Sequence, residues 1–87
     1  MTKKVYVANL PPQATVADIK ALFSKSGDVM SVQIVTDRFT GQPRGIAFVE
    51  MSSQWEARRS VSSLNGQEFL GSKLQVREAT EKRGFRR

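Results

Sequence analysis

The stretch Arg44-Gly45-Ile46-Ala47-Phe48-Val49-Glu50-Met51 has the alternating pattern of a β-strand. With a period of two, one face holds three apolar residues, which predicts that it packs on a core: Ala47, Val49 and Met51. The opposite face holds Arg44, Ile46, Phe48 and Glu50. An aromatic ring beside a cation suits a planar, anionic partner such as a nucleobase with its phosphate. On this stretch alone, a strand buried on both faces is an equal alternative.

Length and charge set the broad class of the protein. The chain has 87 residues, enough for one hydrophobic core, and we expect one domain over residues 1–79 and a basic, flexible tail over residues 80–87. Its 14 Lys and Arg against 8 Asp and Glu leave a net charge of +6, half of it in the tail. This charge favours a polyanionic partner or an anionic membrane, although it also serves solubility alone.

Several classes of chemistry are excluded by composition. Cysteine and histidine are both absent, so disulfides, thiolate chemistry, zinc sites and histidine acid–base catalysis are not available. No apolar run reaches the length of a signal peptide or a membrane span. The sequence therefore predicts an intracellular, cytoplasmic protein with no membrane partner, no metal and no cofactor.

The first half of the chain predicts a strand, a helix and a second strand. Val5–Leu10 is rich in β-branched residues and ends at two prolines, which predicts a strand with Tyr6 facing away from the core. A helix is expected near residues 16–26, with Thr15 and Asp18 as a short capping box and Gly27 as its stop. Residues 29–36 predict the second strand, joined by a polar loop to the opening stretch.

The second half predicts a helix and a last strand. Ser53 and Glu56 form a full capping-box pattern for the helix, which Asn65-Gly66 ends, and residues 73–77 predict the strand. The order β-α-β-β-α-β favours an α+β, ferredoxin-like sandwich: a four-stranded antiparallel sheet with both helices on one face. The other face stays open, and three outward side chains are expected on it: Tyr6, Ile46 and Phe48.

These residues resemble the RNA recognition motif family. The longer family signature, K/R-G-F/Y-G/A-F-V-x-F/Y, is matched at Arg44, Gly45, Ala47, Phe48 and Val49. Val5-Tyr6-Val7-Ala8-Asn9-Leu10 resembles the shorter hexamer motif of the family. Two such motifs in the right order on adjacent central strands are specific. The length of the chain is similar to that of small stand-alone members with one such domain.

The resemblance implies roles for single residues. Tyr6 and Phe48 fall on the family's two stacking platforms, Arg44 where a basic residue meets a phosphate, and Gly45 where backbone approaches closely. Ile46 departs from the family pattern, because a third aromatic residue usually occupies its position. An aliphatic side chain can touch a ribose but offers no π-face. Met51 replaces the final aromatic residue of the signature, but it is expected to face inward.

Further contacts are expected from outward polar and basic side chains. Phosphate or base-edge contacts are predicted for Lys4, Asn9, Gln33, Gln75 and Arg77. Ordinary solvated strand surface is an equal alternative for the two glutamines. In the tail, Lys82 and Arg83 are expected to contact phosphates, and a disordered solubilising end is the alternative.

The sequence therefore predicts a monomer that binds single-stranded RNA, and single-stranded DNA more weakly, without catalysis. One alternative is a protein–protein interaction module related to the RNA recognition motif, for which Trp55 and Phe39 are the candidate contact residues. A second is an acylphosphatase-like enzyme of the same topology. That chemistry needs a phosphate-cradling loop with an arginine after the first strand, where this chain has Pro11-Pro12-Gln13-Ala14.

Overall fold

Six strands and two helices make up the part of the protein that the computed structural model describes, residues 3–79. In chain order they are β1 (Lys4–Ala8), α1 (Val16–Phe23), β2 (Val29–Thr36), β3 (Pro43–Met51), α2 (Gln54–Leu64), β4 (Glu68–Phe69), β5 (Ser72–Lys73) and β6 (Gln75–Glu78). A four-stranded antiparallel sheet has the order β2-β3-β1-β6, and β4 and β5 form a separate hairpin. The predicted ferredoxin-like arrangement is confirmed.

The core lies between the helices and one face of the sheet. Helix α1 packs on β2, and α2 packs on β6, β1 and β3. The residues predicted to face inward from the central strands have no exposed surface: Val5, Val7, Ala47, Val49 and Met51. Helix residues Ile19, Phe23 and Ala57 are equally buried against them. Burial of a large apolar side chain stabilises a fold by about 1.5–3 kcal/mol, so this alternation decides which face of the sheet remains open.

The end of α1 differs from the prediction. The helix stops at Phe23, before residue 26, and Ser24 caps it: both its N–H and its hydroxyl donate to the carbonyl oxygen of Lys20, at 2.9 and 2.6 Å. Gly27 is not among the residues with positive φ. A Cβ atom at Gly27 would lie 2.5 Å from Cγ of Glu56. The glycine is therefore needed for the close approach of α2, not for ending α1.

Of the two predicted capping boxes, the one at α1 is confirmed and the one at α2 is formed only in part. The short one is complete, because Thr15 Oγ1 accepts the N–H of Asp18 and Asp18 Oδ2 accepts the N–H of Thr15, both at 3.1 Å. At α2, Ser53 Oγ accepts the N–H of Glu56 at 3.2 Å, but the Glu56 carboxylate does not return to Ser53. It accepts instead from the Ser52 hydroxyl and from the N–H of Asp28. The N–H of Asp28, the residue preceding β2, thus binds the carboxylate that the capping-box pattern pairs with the N–H of Ser53.

The predicted last strand, residues 73–77, is divided at Leu74. On one side, β5 pairs with β4 through a two-residue turn, Leu70-Gly71. On the other side, β6 pairs with β1. Leu74 is buried, its N–H donates to the Gln67 carbonyl oxygen at 3.0 Å, and its carbonyl oxygen accepts from Gly66 at 2.8 Å. These bonds to the end of α2 take Leu74 out of the ladder and direct β6 onto the sheet.

Candidate nucleic-acid interface

Strand register sets out the open face of the sheet in rows. The central row consists of Gln33, Phe48, Tyr6 and Arg77, on β2, β3, β1 and β6 respectively. On one side of it lies the row Val35, Ile46, Ala8 and Gln75. On the other side lie Ser31, Glu50 and Lys4. The structure therefore brings most of the predicted contact residues together on one surface, although they come from four separate segments.

The two aromatic rings of the central row are neighbours. The ring centroids of Tyr6 and Phe48 are 5.6 Å apart and the ring planes are inclined by 57°. Both side chains are half-buried, and their Cα atoms are direct partners across β1 and β3. Tilted pairs at this separation are favourable for aromatic quadrupoles. The two ring faces are therefore inclined to each other and do not form one flat surface.

A cation covers one of these rings. Cζ of Arg77 lies 4.6 Å from the centroid of Tyr6, within the range of a cation–π interaction. Register explains the contact, because Arg77 and Tyr6 are direct partners across β6 and β1. The sequence predicted Arg77 as a contact residue but not this stack. Only the pairing of two strands distant in sequence places one residue over the other.

Arg44 and Gly45 lie in a bulge at the start of β3. Thr36 pairs with Pro43 and Val35 with Ile46, so the two residues between have no partner on β2. Gly45 has a φ of 79°, and a Cβ there would lie 3.3 Å from the carbonyl oxygen of Leu10. The N–H of Leu10 donates to the Gly45 carbonyl oxygen at 3.0 Å. The close approach expected at Gly45 is thus made by the backbone that follows β1.

Asn9 has a structural bond at the position where a base-edge contact is predicted. It follows β1 with a φ of 65°, and its side-chain Nδ2 donates to the carbonyl oxygen of Lys73 at 2.7 Å. This bond fastens the β4–β5 hairpin to the end of β1. The side chain remains exposed, and its contact with a base edge stays a prediction.

Two depressions adjoin the central row. The larger, of about 510 Å³, is bordered by Ala8 and Ile46 and by polar side chains of Arg44, Asn9 and Gln75. The smaller, of about 360 Å³, is bordered by the aromatic pair and by residues 77–79. Ile46 thus stands beside the larger depression with an aliphatic surface and no π-face. This surface suits a sugar better than a stacked base.

The loop between β2 and β3 is held by its first residue. The Asp37 carboxylate accepts the N–H of Phe39 at 2.7 Å and that of Thr40 at 3.2 Å, and these bonds lower its pKa below the ordinary value of 3.8. The nearby charge of Arg44 lowers this pKa further but less. Phe39 is presented on this closed loop with 89% of its surface exposed.

Trp55 is the other large exposed ring, at 67%, in the first turn of α2 with the guanidinium Cζ of Arg58 at 6.0 Å from its ring. Phe39 precedes β3 and Trp55 follows it, so the two rings lie at opposite ends of that strand. The structure therefore does not join the two candidate protein-contact residues into one surface. The open sheet face, in contrast, is continuous across all four strands.

Three expectations concern ligands, membranes and the tail. Within residues 3–79 no group of acidic side chains is placed to hold a metal ion. The helices of that same part of the chain are too short or too polar to cross a bilayer. Lys82 and Arg83 lie outside the described residues, so their predicted phosphate contacts and the boundary of the tail remain predictions.

Comparison with known proteins shows the family to which the chain is similar. The family model of the RNA recognition motif matches residues 5–75. The candidate RNA-binding protein RbpD of Nostoc sp. is 42% identical over 83 residues, which cover 95% of this chain and 88% of RbpD. The crystal structure of RNA-binding protein PG1 is 42% identical with a TM-score of 0.87, covering 92% of this chain and 96% of PG1.

A structure solved with nucleic acid is also similar. The Sxl-lethal protein in complex with RNA is 37% identical, with a TM-score of 0.82, over 88% of this chain and 47% of that one. The family match spans most of the present chain, including both motifs on β1 and β3. The protein therefore belongs to the RNA recognition motif family.

Proposed function

We propose that this protein binds single-stranded RNA on the open face of its four-stranded sheet, with one base stacked on Phe48 and one on Tyr6. The observation that carries the proposal is the central row, in which the two rings are neighbours at 5.6 Å. Stacking on an aromatic side chain contributes about 1–3 kcal/mol per base. Membership of the family and similarity to the Sxl-lethal protein bound to RNA support the same partner.

Phosphate contacts are assigned to cations at the border of the rings. Arg44 is exposed at the bulge beside the larger depression, and Lys4 is exposed in the row next to the rings. Arg77 completes the set on the β6 side. Two stacked bases supply roughly 2–6 kcal/mol before ordering costs. With three ionic contacts added, we expect a dissociation constant on the order of micromolar, which corresponds to a binding free energy of about 8 kcal/mol in favour of the complex.

Base identity is assigned to amide side chains at the ends of the rows. Gln33 lies beside Phe48 on the outer strand β2, and Gln75 lies beside Ala8 on the outer strand β6. Both are exposed, and each amide offers a donor and an acceptor to a base edge. Asn9 contributes through its Oδ1 and the second N–H of its Nδ2, because one N–H of Nδ2 is already bonded to Lys73. Hydrogen bonds of this kind, rather than stacking, discriminate between bases.

Titration with a short single-stranded RNA, followed by the backbone amide shifts of the full chain, tests the proposal. The expected shifts lie on β1 and β3 around the two rings and on the outward residues of β2 and β6. A single-stranded DNA of the same sequence is expected to bind more weakly at the same face. Shifts confined to α1 and α2 around Trp55, with the sheet silent, would contradict RNA binding on the open sheet face and leave that face without its proposed role.

A further inference from the structure

The structure assigns a second role to Arg77. We propose that its guanidinium is an internal competitor for the base site on Tyr6: it covers the ring in the free protein and transfers to a phosphate when a base takes its place. The inference rests on the proposed function, since it concerns a residue of the same site. Arg77 then both opposes RNA binding, by covering Tyr6, and assists it, by contacting a phosphate. The salt concentration decides which of the two effects is larger.

Tyr6 lies between two other side chains of the central row. Phe48 is its partner on β3 and Arg77 its partner on β6, so the ring has a side chain on both flanks. Phe48 approaches at a tilt of 57°, and Arg77 lies over the ring with Cζ at 4.6 Å from the centroid. A base that stacks on Tyr6 has to use the space held by the guanidinium.

A base and the Arg77 guanidinium cannot both lie against the same face of Tyr6. Stacked planar groups lie at van der Waals separation, roughly 3.5–4.0 Å. A base inserted between Tyr6 and the guanidinium would need about twice that distance between them. The observed 4.6 Å leaves no room for it. The base and the guanidinium therefore exclude each other unless the Arg77 side chain moves.

The position of the Arg77 side chain depends on its contact with the Tyr6 ring. The adjacent carboxylate, Glu78, faces the helical side of β6 and lies 3.7 Å from Nε of Arg58 on α2. Among residues 3–79, this is the ion pair observed on β6, and it does not involve Arg77. The Tyr6 ring is thus the contact that orients Arg77. A cation–π contact at an exposed site changes an equilibrium constant by about two- to fivefold, which is weak enough for a phosphate to replace.

Ionic strength distinguishes a phosphate contact of Arg77 from its cation–π contact with Tyr6. A phosphate contact on a single strand adds about 0.7 to the slope of log affinity against log salt and contributes nothing near 1 M. The cation–π contact is short-ranged and survives added salt. At 50 mM salt the phosphate contact raises the affinity for RNA about eightfold. This gain exceeds the roughly two- to fivefold loss of affinity caused by the competition at Tyr6. Near 1 M only the competition remains, so Arg77 changes from assisting binding to opposing it.

The test measures affinity for one single-stranded RNA between 50 and 500 mM salt, extrapolated to 1 M, for the unchanged protein and Arg77→Gln. We expect Arg77→Gln to bind about two- to fourfold more weakly at 50 mM and about two- to fivefold more tightly at 1 M. The two lines cross between roughly 0.1 and 0.4 M. If the plots of log affinity against log salt do not cross, and Arg77→Gln binds RNA more weakly at every salt concentration, the competitor role of Arg77 would be overturned.

Arg44→Gln is the matched control. Arg44 is an exposed arginine of the same proposed interface, and its nearby charged group is Asp37 rather than a ring. Its substitution should lower the salt slope by the same amount without any gain at 1 M. A gain at 1 M from Arg44→Gln as well would show that the loss of any arginine has this effect, which would remove the support for the stack.

A measurement on the free protein separates this inference from the proposed function. Ring current from Tyr6 should shift the Arg77 side-chain protons upfield, and Tyr6→Leu should return them to ordinary positions. Failure of the unchanged protein to bind RNA, with these shifts present, would overturn the proposed function while leaving the stack in place. Absence of the upfield shift before RNA is added would overturn the inference even if RNA binds.

Discussion

Phe48 and Tyr6 are neighbours, but their surroundings differ. Phe48 has the exposed amide of Gln33 on one flank and the Tyr6 ring on the other. Tyr6 has Phe48 on one flank and the guanidinium of Arg77 over its face. Because no cation covers Phe48 among the described contacts, it is the ring that a base reaches without displacing a side chain. The family motifs assign the two residues equivalent roles, whereas the structure distinguishes them.

Replacing Phe48 by alanine should weaken RNA binding by about 1–3 kcal/mol and leave the fold intact, because the ring is half-buried on the open face. RNA titration and denaturant unfolding measure the two effects. The matched control is Val49→Ala, the next residue of β3, which is fully buried on the opposite face. It should lower the free energy of unfolding by roughly 2 kcal/mol. Comparable destabilisation by both changes would mean that the Phe48 ring is part of the core.

Gly45 is constrained both by conformation and by space. Gly45→Ala forces a side chain into the left-handed region at φ 79° and places Cβ 3.3 Å from the Leu10 carbonyl oxygen. Gly41 is the control, because its φ is 76° but a Cβ there meets nothing within 4 Å. Both changes should lower the free energy of unfolding by about 1–2 kcal/mol, and Gly45→Ala by more, measured with denaturant. Equal losses would show that the Leu10 contact relaxes without cost.

At the scale of elements, hydrogen bonds in the short connections fix the loop between β2 and β3 and the position of the β4–β5 hairpin beside the sheet. The loop of residues 37–42 closes through the Asp37 carboxylate and through the backbone, where the N–H of Gly41 donates to the Asp37 carbonyl oxygen at 2.8 Å. The β4–β5 hairpin is fastened to β1 by Asn9. Each connection depends on one polar side chain, so each can be tested by a single substitution.

The loop of residues 37–42 should open only in acid below the usual range of aspartate. The pKa of Asp37 is lowered from 3.8, so the stabilisation from its ionised form is complete above 3.8 and is lost as pH falls through the lower folded-state value. The amide shifts of Phe39 and Thr40, followed against pH, should therefore move with a midpoint below 3.8.

Asp37→Asn is the control for this titration, because its side-chain oxygen still accepts hydrogen bonds but does not ionise. In that variant the shifts of Phe39 and Thr40 should stay nearly constant across the same pH range. A midpoint at or above 3.8 in the unchanged protein would contradict the stabilising role of the carboxylate.

The β4–β5 turn contains a residue that is unfavourable for its conformation. Leu70 has a φ of 50° and Gly71 a φ of 89°, the positive pair of a two-residue hairpin turn in which asparagine followed by glycine is preferred. Leu70 is half exposed, so its side chain contributes little packing in return. Leu70→Asn should raise the free energy of unfolding by about 0.5–1 kcal/mol, measured with denaturant.

Leu70→Ala serves as the comparison for this change. It removes the same apolar side chain but keeps a residue that disfavours positive φ. If alanine stabilised the protein as much as asparagine, removal of exposed apolar surface, and not turn conformation, would be the cause.

At the scale of the whole molecule, the strand order places the two motif-bearing strands, β1 and β3, side by side at the centre. The outer strands supply polar side chains on either side, Gln33 from β2 and Arg77 from β6. The net charge of +6 gives this surface a favourable background for a polyanion. Aromatic stacking and charge therefore act on one face of the molecule under the proposed function.

Salt should weaken RNA binding strongly. With three phosphate contacts, from Arg44, Lys4 and Arg77, and about 0.7 in slope for each, affinity should fall about 20-fold between 50 and 200 mM salt. A steeper fall that disappears when the chain is ended at residue 79 would assign the excess to cations of the tail, including Lys82 and Arg83. A fall in affinity of less than about threefold would show that phosphate contacts are not a main contribution to RNA binding.

The sequence by itself determined the features that depend on local periodicity. Alternation in β3 predicted which side chains are buried, and the burial of Ala47, Val49 and Met51 confirms it. The order of elements and the two motifs predicted the fold and the shared face of Tyr6 and Phe48, which are direct partners in the sheet. Such features are accessible because neighbours along a strand or helix have a fixed geometry.

The tertiary structure alone decided which distant groups meet. It placed Arg77 over Tyr6, directed the Glu56 carboxylate to Asp28, and made Gly27 a close-approach site for α2 instead of a helix stop. Local rules predicted a different partner for Glu56 and a different role for Gly27, and no partner for Arg77. The reason is physical: hydrogen-bond and ring partners are chosen among all groups that packing brings within a few ångströms, and strand register, not sequence separation, sets those distances.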